Sequence, residues 1–251
     1  MNRLGSCFAA FRFLTVFPLP SSLGRKEEDL AGAVYFFPVV GLVLGAMAVA
    51  GALLIRHLFP PFPAAVLLVG LILSFSGALH LDGLADTADG FFSARDRDTI
   101  LEIMRDSRIG VMGAASLFLL LTLKVACLTV MDHGLVLKAS LLTPLAGRCA
   151  LLLAMGVLPY ARPDGGLGTL FYSSPLRRRA AVGGTVILFV VSTAVLGFRG
   201  LAAASVIGAA TLLFCLFCHR KIGGATGDTL GASCEAAETV LLVFLAAGMS
   251  E

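Results

Sequence analysis

Three aspartates recur at i, i+4 and i+7 in the segment His80-Leu-Asp82-Gly-Leu-Ala-Asp86-Thr-Ala-Asp89-Gly90. On a helix that spacing confines all three to an arc of ~60°, at ~100° per residue. Like charges aligned on one face repel, so the arrangement costs stability unless something positive binds there. Helix capping accounts for one aspartate, not three. Hard Mg²⁺ prefers carboxylate oxygen, so the spacing points to Asp82, Asp86 and Asp89 as metal ligands, with Asp82 and Asp86 also as catalytic carboxylates. The expected chemistry is metal-dependent and acts on a phosphate.

Two further polar segments extend this reading. In Glu102-Ile-Met-Arg105-Asp106-Ser107-Arg108-Ile-Gly110, helical spacing puts Glu102 and Asp106 on one face. Asp106 is then a further metal ligand, and Ser107 and Arg108 are phosphate-binding candidates. The neighbouring Asp96, Arg97 and Asp98 read as a solvated face. In Arg220-Lys221-Ile-Gly223-Gly224-Ala-Thr226-Gly227-Asp228-Thr229-Leu-Gly231, the glycines let backbone N–H groups approach a phosphate. Lys221, Gly223, Gly224, Thr226 and Gly227 are candidates for that contact, and Asp228 for the metal. Glu235 lies seven residues after Asp228, on the same helical face, and joins the substrate-binding set. Glu238 reads as a charge near a helix start. The segment is not a Walker loop, because the Gly-Lys-Ser/Thr ending is absent. Lys124 and Arg148 lie inside apolar runs. A buried membrane cation faces a cavity or an acid, and Arg148, just after Thr143-Pro144-Leu-Ala-Gly147, is a candidate substrate ligand.

The elements that must position these residues are membrane helices. The 251-residue chain is 58% hydrophobic and 14% charged, well below the roughly 25% charge of a soluble domain. Apolar runs near 33–55, 62–79, 112–130, 136–158, 181–198, 201–217 and 236–250 approach the ~20 residues needed to cross a bilayer. The expectation is an all-α, polytopic bundle of about seven spans, forming one domain over residues 1–251. Residues 7–17 are apolar but short and read as an interfacial helix on the cytosolic side. No cleavable signal peptide is expected. With the N-terminus in the cytosol, 14 of the 19 Lys and Arg fall on the inner side, as the positive-inside rule requires. The inner connections are also the longer ones and carry the acidic clusters, so function is expected on that face. No basic face with interleaved aromatics is present, which excludes a nucleic-acid binder. Cys215-Leu-Phe-Cys218-His219 matches a haem-attachment spacing but lies at an inner span end, the wrong side for attachment. The six scattered cysteines read as packing thiols.

These motifs resemble the cobalamin synthase (adenosylcobinamide-GDP ribazoletransferase) family over nearly the whole chain. The resemblance rests on Phe13-Leu14-Thr15 with Pro18 and Pro20, on Phe37-Pro38-Val-Val-Gly41, on the aspartate segment, on Asp106-Ser107-Arg-Ile-Gly110, and on Ile222-Gly-Gly-Ala-Thr-Gly227-Asp228-Thr229-Leu-Gly231. It implies a multi-pass protein of the bacterial inner membrane or the archaeal membrane that requires Mg²⁺. It also implies joining of adenosylcobinamide-GDP to α-ribazole or its 5′-phosphate with release of GMP, by attack of the 5′-hydroxyl or 5′-phosphate. Association with other late cobalamin-pathway enzymes and an oligomeric state are compatible with it. Two alternatives remain at this point. Asp86-Thr-Ala-Asp89-Gly90 copies the start of the CDP-alcohol phosphotransferase motif, though the second half is absent. Acids in a membrane protein also mark cation transporters, though here they gather near one surface and no inverted repeat is visible.

Overall fold

The computed structural model describes residues 3–20, 23–162, 171–172 and 176–247, with the Glu27 side chain excluded. The described residues are helical throughout, apart from turns and one isolated parallel bridge between Tyr160 and Ala225. Short helices α1 (Arg3–Leu14) and α2 (Glu27–Ala33) lead through a 3-10 turn into α3 (Phe37–Leu58). Then come α4 (Pro61–Phe75), α5 (Leu79–Phe91), α6 (Arg97–Ile103), α7 (Val111–Val130) and α8 (His133–Val157). The chain closes with α9 (Arg177–Leu196), α10 (Phe198–Ile222) and α11 (Gly227–Ala247). Among the described residues, six helical runs are long and apolar enough to cross a membrane on their own: Glu28–Leu58, which ends in α3, and helices α7, α8, α9, α10 and α11.

Helix α8 is the centre of the bundle, buried along most of its length between α3, α9 and α11. Small residues allow the close approach: Gly41 and Gly45 of α3 lie on the α8 backbone at Leu145 and Leu141. That pairing also fixes α3 and α8 as antiparallel. Phe59-Pro60, Met131-Asp132 and Gly197 make tight turns at one end, where Arg56 Nη2 donates to the Met131 carbonyl and Arg199 to that of Leu245. The longer connections share the other end. There Arg97 joins three of them, donating from Nε to the Ile222 carbonyl (3.0 Å) and from Nη2 to that of Ala161 (2.8 Å).

Helix α3 ends at the tight-turn end and α7 begins at the opposite one. The α4–α5 pair therefore returns the chain through the bundle as a broken seventh crossing, bent by 93°. The break is Ser76-Gly77-Ala78, where Gly77 and Ala78 both have φ near +59°. A left-handed alanine costs about 1–2 kcal/mol. The apolar run near 62–79 thus stops at Phe75, because two left-handed residues cannot continue a right-handed helix.

Two other expectations are corrected. The last span begins at Gly227 and not near 236, because Thr226 and Thr229 build a start signal. The Thr226 N–H donates to Thr229 Oγ1 (2.8 Å) and the Thr229 N–H to Thr226 Oγ1 (3.3 Å). Helix α6 ends at Ile103, so Glu102 and Asp106 share no helical face; Asp106 belongs to the loop before α7.

Candidate active site

Helix α5 lies against α11 and α7 at the end of the bundle that holds the longer connections. Glycines set how closely: Gly83 of α5 touches the Asp228 backbone, and Gly231 of α11 touches that of His80. Any side chain at either position would push the helices apart. Two cavities open beside α5 and meet at Asp82. One, of about 190 Å³, is lined by Asp82, Asp228, Gly227 and His80 over an apolar floor. The other is a wider groove of about 620 Å³, lined by Asp82, Asp86, Ser107 and the Gly77-Ala78 break.

The aspartates placed together by sequence spacing divide into different tasks. Asp82 is exposed and Asp86 half-buried, and neither side chain makes a hydrogen bond or ion pair with a described residue. The charges of Asp82, Asp228 and Asp89 all reach Asp86. Asp89 is already engaged: its two oxygens accept from the backbone N–H of Gly110 (2.6 Å) and Gly113 (2.8 Å), capping α7. A carboxylate on those amides is also favoured by the helix dipole. Asp89→Ala should therefore lower stability by about 2 kcal/mol, read as a lower Tm in detergent, with Asp89→Asn recovering part of the loss.

Asp106 forms a two-point fork with Arg108, Nε to Oδ1 at 3.0 Å and Nη2 to Oδ2 at 2.6 Å. The guanidinium, with the Arg108 N–H beside it, pulls the Asp106 carboxyl down to about 2. The pair is largely exposed, so its effect is to shape the loop more than to stabilise the fold. Ser107 between them faces the groove. Asp228 Oδ2 accepts from Arg162 Nη2 (2.7 Å) and Thr226 Oγ1 (3.2 Å). Arg162 carries no motif signal in the sequence; only the fold brings it to Asp228.

The glycine-rich segment is mainly a turn. Gly223 closes α10 in the left-handed region (φ +76°), and Gly224 lies against the Pro159 carbonyl. Of this segment Gly227, Asp228, Leu230 and Gly231 line the enclosed cavity, while Lys221, Gly223, Gly224 and Thr226 do not. Lys221 donates to the Phe91 carbonyl (2.7 Å), fastening the end of α5.

Arg148 and Glu235, expected at the substrate, are inside the bundle. Lys124 Nζ bonds Glu235 Oε2 and Glu238 Oε2, both at 2.7 Å, and Arg148 Nη1 bonds Glu238 Oε1 at 2.9 Å. All four side chains are 2–3% exposed. The cause is the early start of α11: Glu235 and Glu238 stand two to three turns inside it, not at its beginning.

Among the described residues, no three His, Cys, Asp or Glu side chains gather closely enough to hold a metal by themselves. Mg²⁺ does not need such a cage. It keeps several waters and is commonly bound by one or two carboxylates together with substrate phosphates. Asp82 and Asp86, unpaired and facing open space, fit that pattern; Asp89 and Asp106, with their oxygens engaged, fit it poorly.

Fold and site define a class: a polytopic helical membrane protein with unpaired carboxylates at one end of its bundle. The chain belongs to the Cobalamin-5-phosphate synthase family, whose model matches residues 6–246. It is 39% identical over 231 residues to the adenosylcobinamide-GDP ribazoletransferase of Acetivibrio thermocellus, covering 92% of this chain and 93% of that one. It is 41% identical to the enzymes of that name from Roseiflexus sp. (94% and 87% covered) and Klebsiella pneumoniae (96% and 98% covered). No solved structure matches the chain.

Proposed function

We propose that this protein joins adenosylcobinamide-GDP to α-ribazole or its 5′-phosphate, releasing GMP. The observation that carries the reading is Asp82: a carboxylate without a partner among the described residues, shared by two cavities, which suits a reaction of two substrates. A product named as a 5-phosphate has implications for the nucleophile. With the phosphorylated acceptor the 5′ position keeps its own phosphate, so attack comes from another ribose hydroxyl. Attack from that hydroxyl takes the place of the 5′ attack expected from the sequence in this reading. A new bond forms between that oxygen and the cobinamide-side phosphorus, the anhydride bond breaks, and GMP leaves with the electron pair. The hydroxyl proton passes to the α5 carboxylates.

Asp82 and Asp86 would hold Mg²⁺, with Asp228 beside them. The ion would neutralise phosphate oxygens and the developing charge on the leaving group. Arg162 holds Asp228 at the rim, and Asp89 fixes the start of α7 so that Ser107 faces the groove. The site faces the cytosol in this reading, because its end of the bundle carries Arg95, Arg97, Arg105, Arg108, Arg162, Arg177, Arg178, Arg179, Arg220 and Lys221. The membrane is then the cytoplasmic one.

The test is turnover by purified protein in liposomes, with GMP and the corrinoid product both detected. Excess chelator should abolish turnover and added Mg²⁺ restore it. Full activity in chelator removes the metal from the mechanism, and absence of product from folded protein removes the reaction.

A further inference from the structure

The two cavities differ in ways that sort the two substrates. The 190 Å³ cavity is mostly apolar: Phe13, Leu151, Met155, Phe171 and Leu230 line it, and its polar side chains are Asp82, Asp228 and His80. The Phe13 and Phe171 rings are 4.7 Å apart between centroids. Leu151, Met155 and Phe171 are 2–4% exposed, so the walls are built by packing and are not surface residues. His80, on that wall, is 3% exposed, and its imidazole makes no hydrogen bond to a described residue. An imidazole without a hydrogen-bond partner on a cavity wall is a position where a ligand hydrogen bond gains. The 620 Å³ groove is open, larger, and carries Asp86 and Ser107.

We infer that the enclosed cavity is the subsite for the planar heteroaromatic base of the acceptor nucleoside, with the His80 imidazole as its hydrogen-bond partner. The inference rests on the proposed reaction. A flat bicyclic ring with one unsubstituted in-plane nitrogen matches an apolar slot with aromatic walls and one unpartnered imidazole. The sugar of such a nucleoside then points to the rim, where Asp82 stands. The open groove is left to the donor, whose diphosphate and bulky corrinoid need space and whose anionic oxygens need the metal beside Asp86.

The chain has no tryptophan, so the intrinsic fluorescence of a benzimidazole nucleoside can report its own binding against little background. Binding of α-ribazole to the protein in detergent is measured by polarisation, alongside separate KM values for α-ribazole and for adenosylcobinamide-GDP. Leu151→Phe, which narrows the slot, and His80→Leu, which removes the partner, should each weaken α-ribazole binding and raise its KM about tenfold. The donor's KM should stay within about twofold. His80→Gln, which keeps a donor and an acceptor, should recover much of the loss. Bound donor that retains its KM also certifies the fold of each variant. If α-ribazole binding is unchanged in both variants, or the donor's KM rises instead, the subsite assignment is wrong while the reaction stands. If wild-type protein makes no product and binds no α-ribazole, both fall together.

Discussion

Asp82→Asn should reduce kcat by about 10³-fold at saturating Mg²⁺ and substrates. The side chain has no partner among the described residues, and it lines both cavities. Its replacement therefore removes no structural contact and leaves one carboxylate fewer where phosphate charge must be neutralised. The same change relieves repulsion along the α5 face, so stability without substrate should hold or rise by about 0.5 kcal/mol. Activity lost with stability kept is the signature of a group retained for chemistry. Asp86→Asn should act in the same direction, and it should also raise the Mg²⁺ concentration needed for half-maximal rate. Kinetics over a Mg²⁺ series, with a melting curve for each variant, read both effects. A kcat within threefold of wild type would remove Asp82 from the reaction. A large drop in Tm would make its role structural.

Lys124→Met should be the most destabilising single change outside the packing core, at about 3–5 kcal/mol. Lys124 and Arg148 supply two positive charges, and Glu235 and Glu238 two negative ones, in a site 2–3% exposed. The cluster is neutral as built. Removing the ammonium leaves Glu235 without a cation partner in an apolar bundle, where an uncompensated charge is expensive. The neighbouring Arg148 Nη1 is already bonded to Glu238. Lys124→Met combined with Glu235→Leu restores neutrality and leaves the Arg148–Glu238 pair, so the double variant should recover more than half of the loss. Unfolding in a denaturing detergent series gives both numbers. Additive losses in the double variant would show that the ions stabilise through separate contacts and not as one charge-balanced unit. The cluster ties α7, α8 and α11 together, and α11 carries Asp228 in its first turn.

Much of this protein follows from local pattern. The long apolar runs foretell membrane helices, since any backbone in lipid must satisfy its own hydrogen bonds. The i, i+4, i+7 spacing puts Asp82, Asp86 and Asp89 on one face of a single helix, and the structure has that helix at Leu79–Phe91. The family, too, is legible in those residues, through the segments around Asp82, Asp106 and Asp228. Other features depend on partners far along the chain. No spacing rule shows that Asp89 caps α7, because Gly110 and Gly113 reach it only when α5 and α7 lie side by side. Arg148, Lys124, Glu235 and Glu238 look like separate charges in sequence, separated by up to 114 positions, and become one buried unit when three helices meet. Arg162 finds Asp228 across 66 positions in the same way. Hydrophobic period and charge spacing are properties of one segment and survive in the bare sequence. Which carboxylates stay free for chemistry is a property of contacts between segments, and it was decided only when glycines such as Gly83 and Gly231 let α5 settle against α11.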